Sequence, residues 1–455
     1  MINKVKWDNH PVLGNLELDF TLADGSIAKT IVFAGENGSG KTTILESLNE
    51  FLTLNGMLYI DSIEYEEGGL CYKACYSEEM QSGQSGFHIR EALATGKEEK
   101  IWRNGNNQRE QLEEDVADLR RHGCLYSRAR SGFSTRAINA TTTEKIDERK
   151  FDQDNNDDFT TIKQLIVDLY TQDCMDYAHI NQHGSTLNWN SFDANSRLRR
   201  FKNAFSGFFE NMDFDRVEVV ANEQVVMFSK NGKSIPIDTL STGEKQIVFR
   251  GASLIRNGGL LDNGYVMIDE PELSMHPKWQ ERILSFYKNL FSRDERQFVQ
   301  LFVATHSDYV LKSAAASLND TLIIILSDNG GTIEAKKIDV PQTLPTLIAS
   351  EINYLAFGIT SEDYHIALYG YLQDLNGLER IKDCDDYIKN HEEYNSTTDG
   401  KHYKNGAYEE FTLPTYIRNA IDHPDSGRAY TENDLKQSID LLERICKAEK
   451  EKSKE

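Results

Sequence analysis

A few short stretches carry the side chains able to do chemistry. The first, Gly35-Glu36-Asn37-Gly38-Ser39-Gly40-Lys41-Thr42, follows an apolar run from Ile31 and leads into an amphipathic stretch from Thr43. Glycines let backbone N–H groups approach an anion closely, and a helix start adds partial positive charge. Gly35, Asn37, Gly38, Ser39, Gly40 and Thr43 therefore read as a phosphate cradle, Lys41 as the cation reaching the β- and γ-phosphates, and the Thr42 hydroxyl as a Mg²⁺ ligand.

The second stretch, Leu240-Ser241-Thr242-Gly243-Glu244-Lys245-Gln246, follows Pro236 and precedes the apolar run IVFRGASLI. Ser241 and Gly243 at a helix start make another anion site, and because one phosphate loop already holds a nucleotide, a second implies a shared ligand. The third, Gly264 to Glu272, is an apolar strand that ends in carboxylates. Asp269 is read as holding Mg²⁺ through water and Glu270 as polarising the attacking water. A further apolar run, 298–304, ends in Thr305-His306-Ser307. His306 thus sits where open α/β sheets bind ligands, within reach of a γ-phosphate or the attacking water.

These residues need a sheet and helices to hold them. Residues 5–20 alternate as a hairpin does and are expected to stack on the nucleotide-binding strand. A helix at 43–54 and strands at 57–65 and 70–76 follow, then a Gly/Ser/Gln-rich stretch, 77–100, that reads as a loop. From 101 to 209 the chain turns charged, with helices predicted at 161–177 and 194–209 around the polar segment TRAINATTTEKIDERKFDQDNNDD. Strands are expected at 216–221 and 224–229 around Lys230-Asn231-Gly232-Lys233, a hairpin turn, and at 321–326 in a closing hairpin. Beyond Pro345, helices are expected at 361–375, 378–392, 412–421 and 432–448, with Leu368 and Leu372 on a helix interface. The expected fold class is α/β: an ATPase unit at 1–335 with a helical insertion at about 101–209, then an all-α unit at 345–455.

At 455 residues the chain exceeds one core's usual size. Its net charge of −23 and pI near 5.0 argue against chain-wide attraction to nucleic acid. Two local basic groups stand out, Arg120, Arg121, Arg128, Arg130 and Arg136, then Arg197, Arg199, Arg200 and Lys202; the simpler reading makes each a solvated face offsetting nearby acid. Scattered cysteines, no apolar run of membrane-spanning length and no signal-peptide core predict a reduced, cytoplasmic protein without a membrane partner.

Jointly, the motifs resemble those of ATP-binding-cassette (ABC) ATPases of the SMC, RecF and OLD-like branch: Walker A at Gly35–Thr42, the signature at Leu240–Gln246, Walker B with its glutamate at Tyr265–Glu270, a D-loop-like segment at Glu272–His276 and a switch histidine at His306. The resemblance covers roughly the first 325 residues. It implies ATP and Mg²⁺ as cofactors and a head-to-tail pair of subunits, possibly part of a higher oligomer, in which Ser241 and Gly243 act on the neighbour's ATP. It leaves the Q-loop glutamine unplaced and, with a closing hairpin after 321, gives no Toprim nuclease.

In the C-terminal part, Arg418-Asn419 and His423 resemble the R-N-x-x-x-H motif of HEPN domains, many of which are metal-independent RNases. The alternative for this region is a helical assembly surface, which the chain's acidity and Asp422 favour. The chain is similar in size to the ATPase subunits of PARIS and Septu anti-phage systems. Two functions follow from that resemblance: an ATP-hydrolysing sensor and scaffold that gates a separately encoded nuclease or toxin, triggered by a phage protein or nucleic acid; or a self-contained RNase at Arg418 and His423, switched by the ATPase.

Overall fold

The computed structural model describes residues 1–52, 59–75, 88–101, 124–130, 132–142, 159–182, 188–193, 196–256, 261, 263–293, 296–405 and 407–452. They divide into two compact units, Met1–Asp339 and Val340–Glu455. Arg120, Arg121, residues 77–87 of the loop expected over 77–100 and residues 143–158 of the polar segment lie outside the described residues.

The first unit is organised by a six-stranded sheet in the order Ile333–Ile338, Thr321–Asp328, Thr30–Ala34, Gln300–Thr305, Tyr265–Asp269, Cys124–Ser127. Only the hairpin of Ile333–Ile338 on Thr321–Asp328 is antiparallel. Strands of a parallel sheet are covered on both faces and so read as unbroken apolar runs. TIVFA, YVMID and QLFVAT accordingly contain no exposed residue. The ladder sets Ala34 opposite Thr305 and Ala304 opposite Asp269. Gly35, Glu270 and His306, each the first residue past its strand, therefore emerge together at the carboxyl edge.

One face of that sheet shares a core with a six-stranded antiparallel sheet, ordered Glu17–Asp19, Ile2–Trp7, Ile60–Glu67, Leu70–Cys75, His88–Ala92, Lys97–Ile101. Phe20, in the segment expected to stack here, meets Phe33 and Phe302 with ring centroids 6.2 and 5.6 Å apart. The helix Lys41–Leu52 buries Ile44, Leu45, Leu48 and Phe51 in the same core, and the Trp7 indole donates to Ser47 Oγ at 2.9 Å. Full burial of each such apolar side chain stabilises by about 1.5–3 kcal/mol, so the phosphate loop hangs between two anchored elements.

Two expectations need correction. Part of the stretch read as a loop, 77–100, forms the strands His88–Ala92 and Lys97–Ile101, whose charged sequences carry no alternation and which exist by ladder pairing. The insertion is not wholly helical: Cys124–Ser127 pairs in parallel with Tyr265–Ile268 as an edge of the central sheet. The rest of the insertion includes the helices Thr160–Gln182 and Arg199–Ser206, beside a three-stranded sheet of Met212–Val220, Glu223–Lys230 and Lys233–Pro236. The turn between the last two strands has Asn231 and Gly232 at φ 51° and 75°, the left-handed pair that a tight hairpin needs. Part of the two basic groups is spent on carboxylates. Arg128 pairs with Glu46, Arg197 with Asp173 and Asp176, and Lys202 with Asp193.

The second unit contains the helices Ala349–Phe357, Glu362–Asn376, Ile381–Asn390, Leu413–Asp422 and Glu432–Lys452 around their own core. It also has a hairpin, Gly400–Asn405 with Ala407–Thr412, where helices alone were expected. Leu368 and Leu372 are wholly buried in this core and are not interface positions.

Candidate nucleotide site

The phosphate loop turns sharply because its glycines allow it. Gly35 has φ 150°, and a Cβ there would lie 2.2 Å from the Leu326 carbonyl; Gly38 and Gly40 have φ 88° and 87°. The loop leaves Glu36, Asn37 and Gly38 exposed and delivers the chain into the helix Lys41–Leu52. Ser39 Oγ is buried without a hydrogen-bond partner. Thr43 follows in the first helical turn.

Lys41 is folded back over the loop, its ammonium donating to the carbonyls of Gly35 and Glu36, each at 2.8 Å. Burial lowers its pKa, against the pull of Glu270, Asp269 and Glu272. The Thr42 hydroxyl donates to both Asp269 carboxylate oxygens, at 3.2 and 3.0 Å. Burial pushes the Asp269 carboxyl up to about 6, with Glu270 and Glu272 adding to the rise and the Thr42 bond and Arg250 opposing it.

Glu270 has φ 44°, a left-handed backbone that a residue with a Cβ adopts at a cost. Its N–H donates to the Ala304 carbonyl at 2.9 Å. His306 Nδ1 lies 3.5 Å from Glu270 Oε1 and 3.5 Å from Glu272 Oε1. Glu272 is almost fully buried, accepts from Thr305 Oγ1 at 2.6 Å and from the His306 N–H at 3.0 Å, and has its other oxygen unpartnered. The strand ends thus gather three carboxylates, a hydroxyl and an ammonium, a set with surplus buried negative charge suited to a divalent cation at Thr42 and Asp269.

Ser241 caps the short helix Thr242–Lys245 in a capping box: the Glu244 N–H donates to Ser241 Oγ, and the Ser241 N–H donates to Glu244 Oε2 at 2.8 Å. Burial alone would raise the Glu244 pKa, but bonds from Lys230 and Ser241 bring it below its ordinary value. At Gly243 a Cβ would lie 2.6 Å from the Ser274 carbonyl, so the signature packs directly on the D-loop-like segment. The chain then widens into a π-helix, Gln246–Arg250, before the helix Gly251–Arg256.

Three residues here escaped the sequence reading: Glu272 as a ligand of Thr305, Gln246 as a buried donor to the Arg130 carbonyl at 2.7 Å, and Arg250. Arg250 left one sign in the sequence, a charge inside IVFRGASLI, a run otherwise fit for burial.

In the second unit Arg418 and His423 lie at the end of the helix Leu413–Asp422. The Arg418 guanidinium pairs with Asp422 at 2.6 Å and also donates to Asn419 Oδ1, while His423 is exposed.

Among known proteins the chain is 33% identical over 114 residues to the Retron Vc95 probable ATPase of Vibrio cholerae serotype O1 biovar El Tor, which involves 23% of this chain and 21% of that one. It is 21% identical over 332 residues to Septu protein PtuA of Bacillus thuringiensis, with 69% of this chain and 74% of that one aligned. The SMC head domain from Thermotoga maritima superposes at a TM-score of 0.40 with 14% identity, covering 74% of this chain and 99% of that one. Residues 79–312 match the family described as AAA domain, putative AbiEii toxin, Type IV TA system, a stretch that takes in the signature, the carboxylate strand and His306. Since that match spans more than half of the chain, the protein belongs to this family and is an ATPase.

Proposed function

We propose that the chain is the ATP-hydrolysing sensor and scaffold subunit of a cytoplasmic anti-phage complex, which gates a separately encoded nuclease or toxin. The observation that carries the hydrolytic part is the meeting of Lys41, Thr42, Asp269, Glu270 and His306 at one sheet edge. The likeness to Septu protein PtuA supports the defence setting.

In this reading Lys41 leaves the Gly35 and Glu36 carbonyls to meet the β- and γ-phosphates, and the N–H groups of the loop take the remaining charge. Thr42 and Asp269 would hold Mg²⁺, which when bound neutralises phosphate charge. Glu270 polarises the attacking water, and His306, within reach of its carboxylate, orients that water or the γ-phosphate. Ser241 and Gly243 meet the γ-phosphate of a second subunit, so each ATP closes a head-to-tail pair. The trigger, a phage protein or nucleic acid, acts by shifting that pairing. The ion pair of Arg418 with Asp422 favours assembly over RNA cleavage as the role of the C-terminal helices.

The test is Glu270→Gln. Nucleotide binding should persist while turnover falls by about 10²–10³-fold, read by nucleotide titration and phosphate release; unchanged turnover removes the assignment.

A further inference from the structure

Arg250 is wholly buried, yet no carboxylate receives its hydrogen bonds. Its donors all go to neutral oxygens. Nε donates to Ser127 Oγ at 2.9 Å, Nη1 to the Glu270 carbonyl at 3.1 Å and to Gln246 Oε1 at 3.4 Å, and Nη2 to the Asp269 carbonyl at 2.7 Å and the Ser127 carbonyl at 3.1 Å. The five N–H bonds of a guanidinium are thereby all used. A buried cation whose hydrogen bonds all go to neutral oxygens is costly to desolvate. Packing therefore does not explain the choice of arginine.

The bonds themselves offer an explanation. The carbonyls of Asp269 and Glu270 belong to the two peptide units that flank the Glu270 Cα. One rigid, planar fork grips both, so it holds the orientation of one unit against the other, which φ and ψ at Glu270 set together and of which the φ of 44° is left-handed. The Ala304 carbonyl anchors the N–H of the first unit from the opposite strand. Arg250 itself rises from the π-helix that continues the signature, so its guanidinium joins that helix to the Glu270 backbone.

We infer that Arg250 is a positioning residue for hydrolysis, holding the Glu270 backbone so that its carboxylate faces the attacking water and tying that aim to the placement of the signature helix. The inference rests on the assignment of Glu270 as the residue that polarises water. Lysine offers three donors on a point charge and cannot span two peptide units in one plane.

The experiment compares the full chain with Arg250→Lys, Arg250→Met, Glu270→Gln and the double variant Arg250→Lys/Glu270→Gln. ATP affinity is measured by equilibrium titration, turnover under single-turnover conditions and folding by thermal melting. Arg250→Lys should leave the ATP dissociation constant within about twofold while the hydrolysis rate falls about 100-fold, the usual consequence of misplacing a reacting group by an ångström. Adding Arg250→Lys to Glu270→Gln should cost no further rate, because the arginine acts only through that carboxylate. Arg250→Met, which fits the space without a buried charge, is read in the same way and serves where the lysine variant does not fold. Wild-type hydrolysis in either folded Arg250 variant overturns the inference, as does a further loss of rate in the double variant. Wild-type hydrolysis in Glu270→Gln instead overturns the assignment beneath it.

Discussion

Lys41 donates to the loop's own carbonyls and Thr42 to Asp269. In the proposed reading Lys41 exchanges those carbonyls for phosphate while the Thr42 oxygen turns to Mg²⁺, and hydrogen bonds to charged groups are worth about 1.5–3 kcal/mol. Lys41→Ala should therefore weaken ATP binding roughly 10- to 100-fold, seen as a shifted titration midpoint with the melting temperature little changed. Gly243→Val tests the contact of the signature with the D-loop-like segment. Its Cβ would lie 2.6 Å from the Ser274 carbonyl, so turnover should fall with ATP affinity kept; equal turnover would mean that the two segments move apart freely. At this scale the glycine-turned loop and the gathering of carboxylates at the strand ends were legible, because the proposed anion binding and water activation demand particular residue types at fixed spacing. Arg250 was not, because three of its five hydrogen bonds go to backbone carbonyls, which any sequence has.

Among elements, the strands that read clearly were those whose neighbours cover both faces, such as TIVFA and QLFVAT. Cys124–Ser127 was missed because four residues carry too little pattern; it is a strand because Tyr265–Ile268 offers it a ladder. The helix Glu362–Asn376 was legible from its aromatic and leucine spacing, and it carries a pH dependence the spacing does not show. His365 is wholly buried, bonded through Nε2 to Ser438 Oγ at 2.9 Å, and burial lowers its pKa to about 3. Folded, the ring stays neutral; unfolded, it takes up a proton near its ordinary pKa of about 6.5. Between these values the unfolded chain binds more protons, so stability is lost as pH falls, by about 1.4 kcal/mol per unit. The protection factors in this helix, exchange rates being divided by their intrinsic rates at each pH, should fall from pH 7 to pH 5, and His365→Gln should flatten that slope. An equal slope in the variant would assign it to other groups.

For the whole molecule, the expectation of two-part organisation came from length and from the change to helical spacing after Pro345, whereas the proposed pairing of subunits rests on Ser241 and Gly243 having a phosphate to meet. Mixing Lys41→Ala subunits with Ser241→Arg subunits should give pairs with one intact composite site out of two, and so recover part of the hydrolysis that neither variant shows alone. No recovery, together with a mass that never changes on adding ATP, would remove the shared-site reading. Leu368→Asp would not probe assembly, since the side chain lies in the core of its own unit and a charge there unfolds it. Exposed His423 is the better probe: His423→Ala should leave ATP turnover and folding intact, and RNA cleavage by the wild-type chain that this change abolishes would restore the RNase reading.

The order of the central sheet also bears on how the chain is made. Thr30–Ala34 is flanked by Gln300–Thr305 on one side and Thr321–Asp328 on the other, both of them near the far end of the unit. On a ribosome, the strand that feeds the phosphate loop would wait roughly 15 to 50 s for its first sheet neighbour at the ordinary pace of translation. Through that interval the apolar TIVFA lacks the ladder that protects it in the finished fold. A nascent chain stalled before residue 300 should therefore be captured by chaperones and cut by protease between 30 and 52, and one released past residue 340 should resist both.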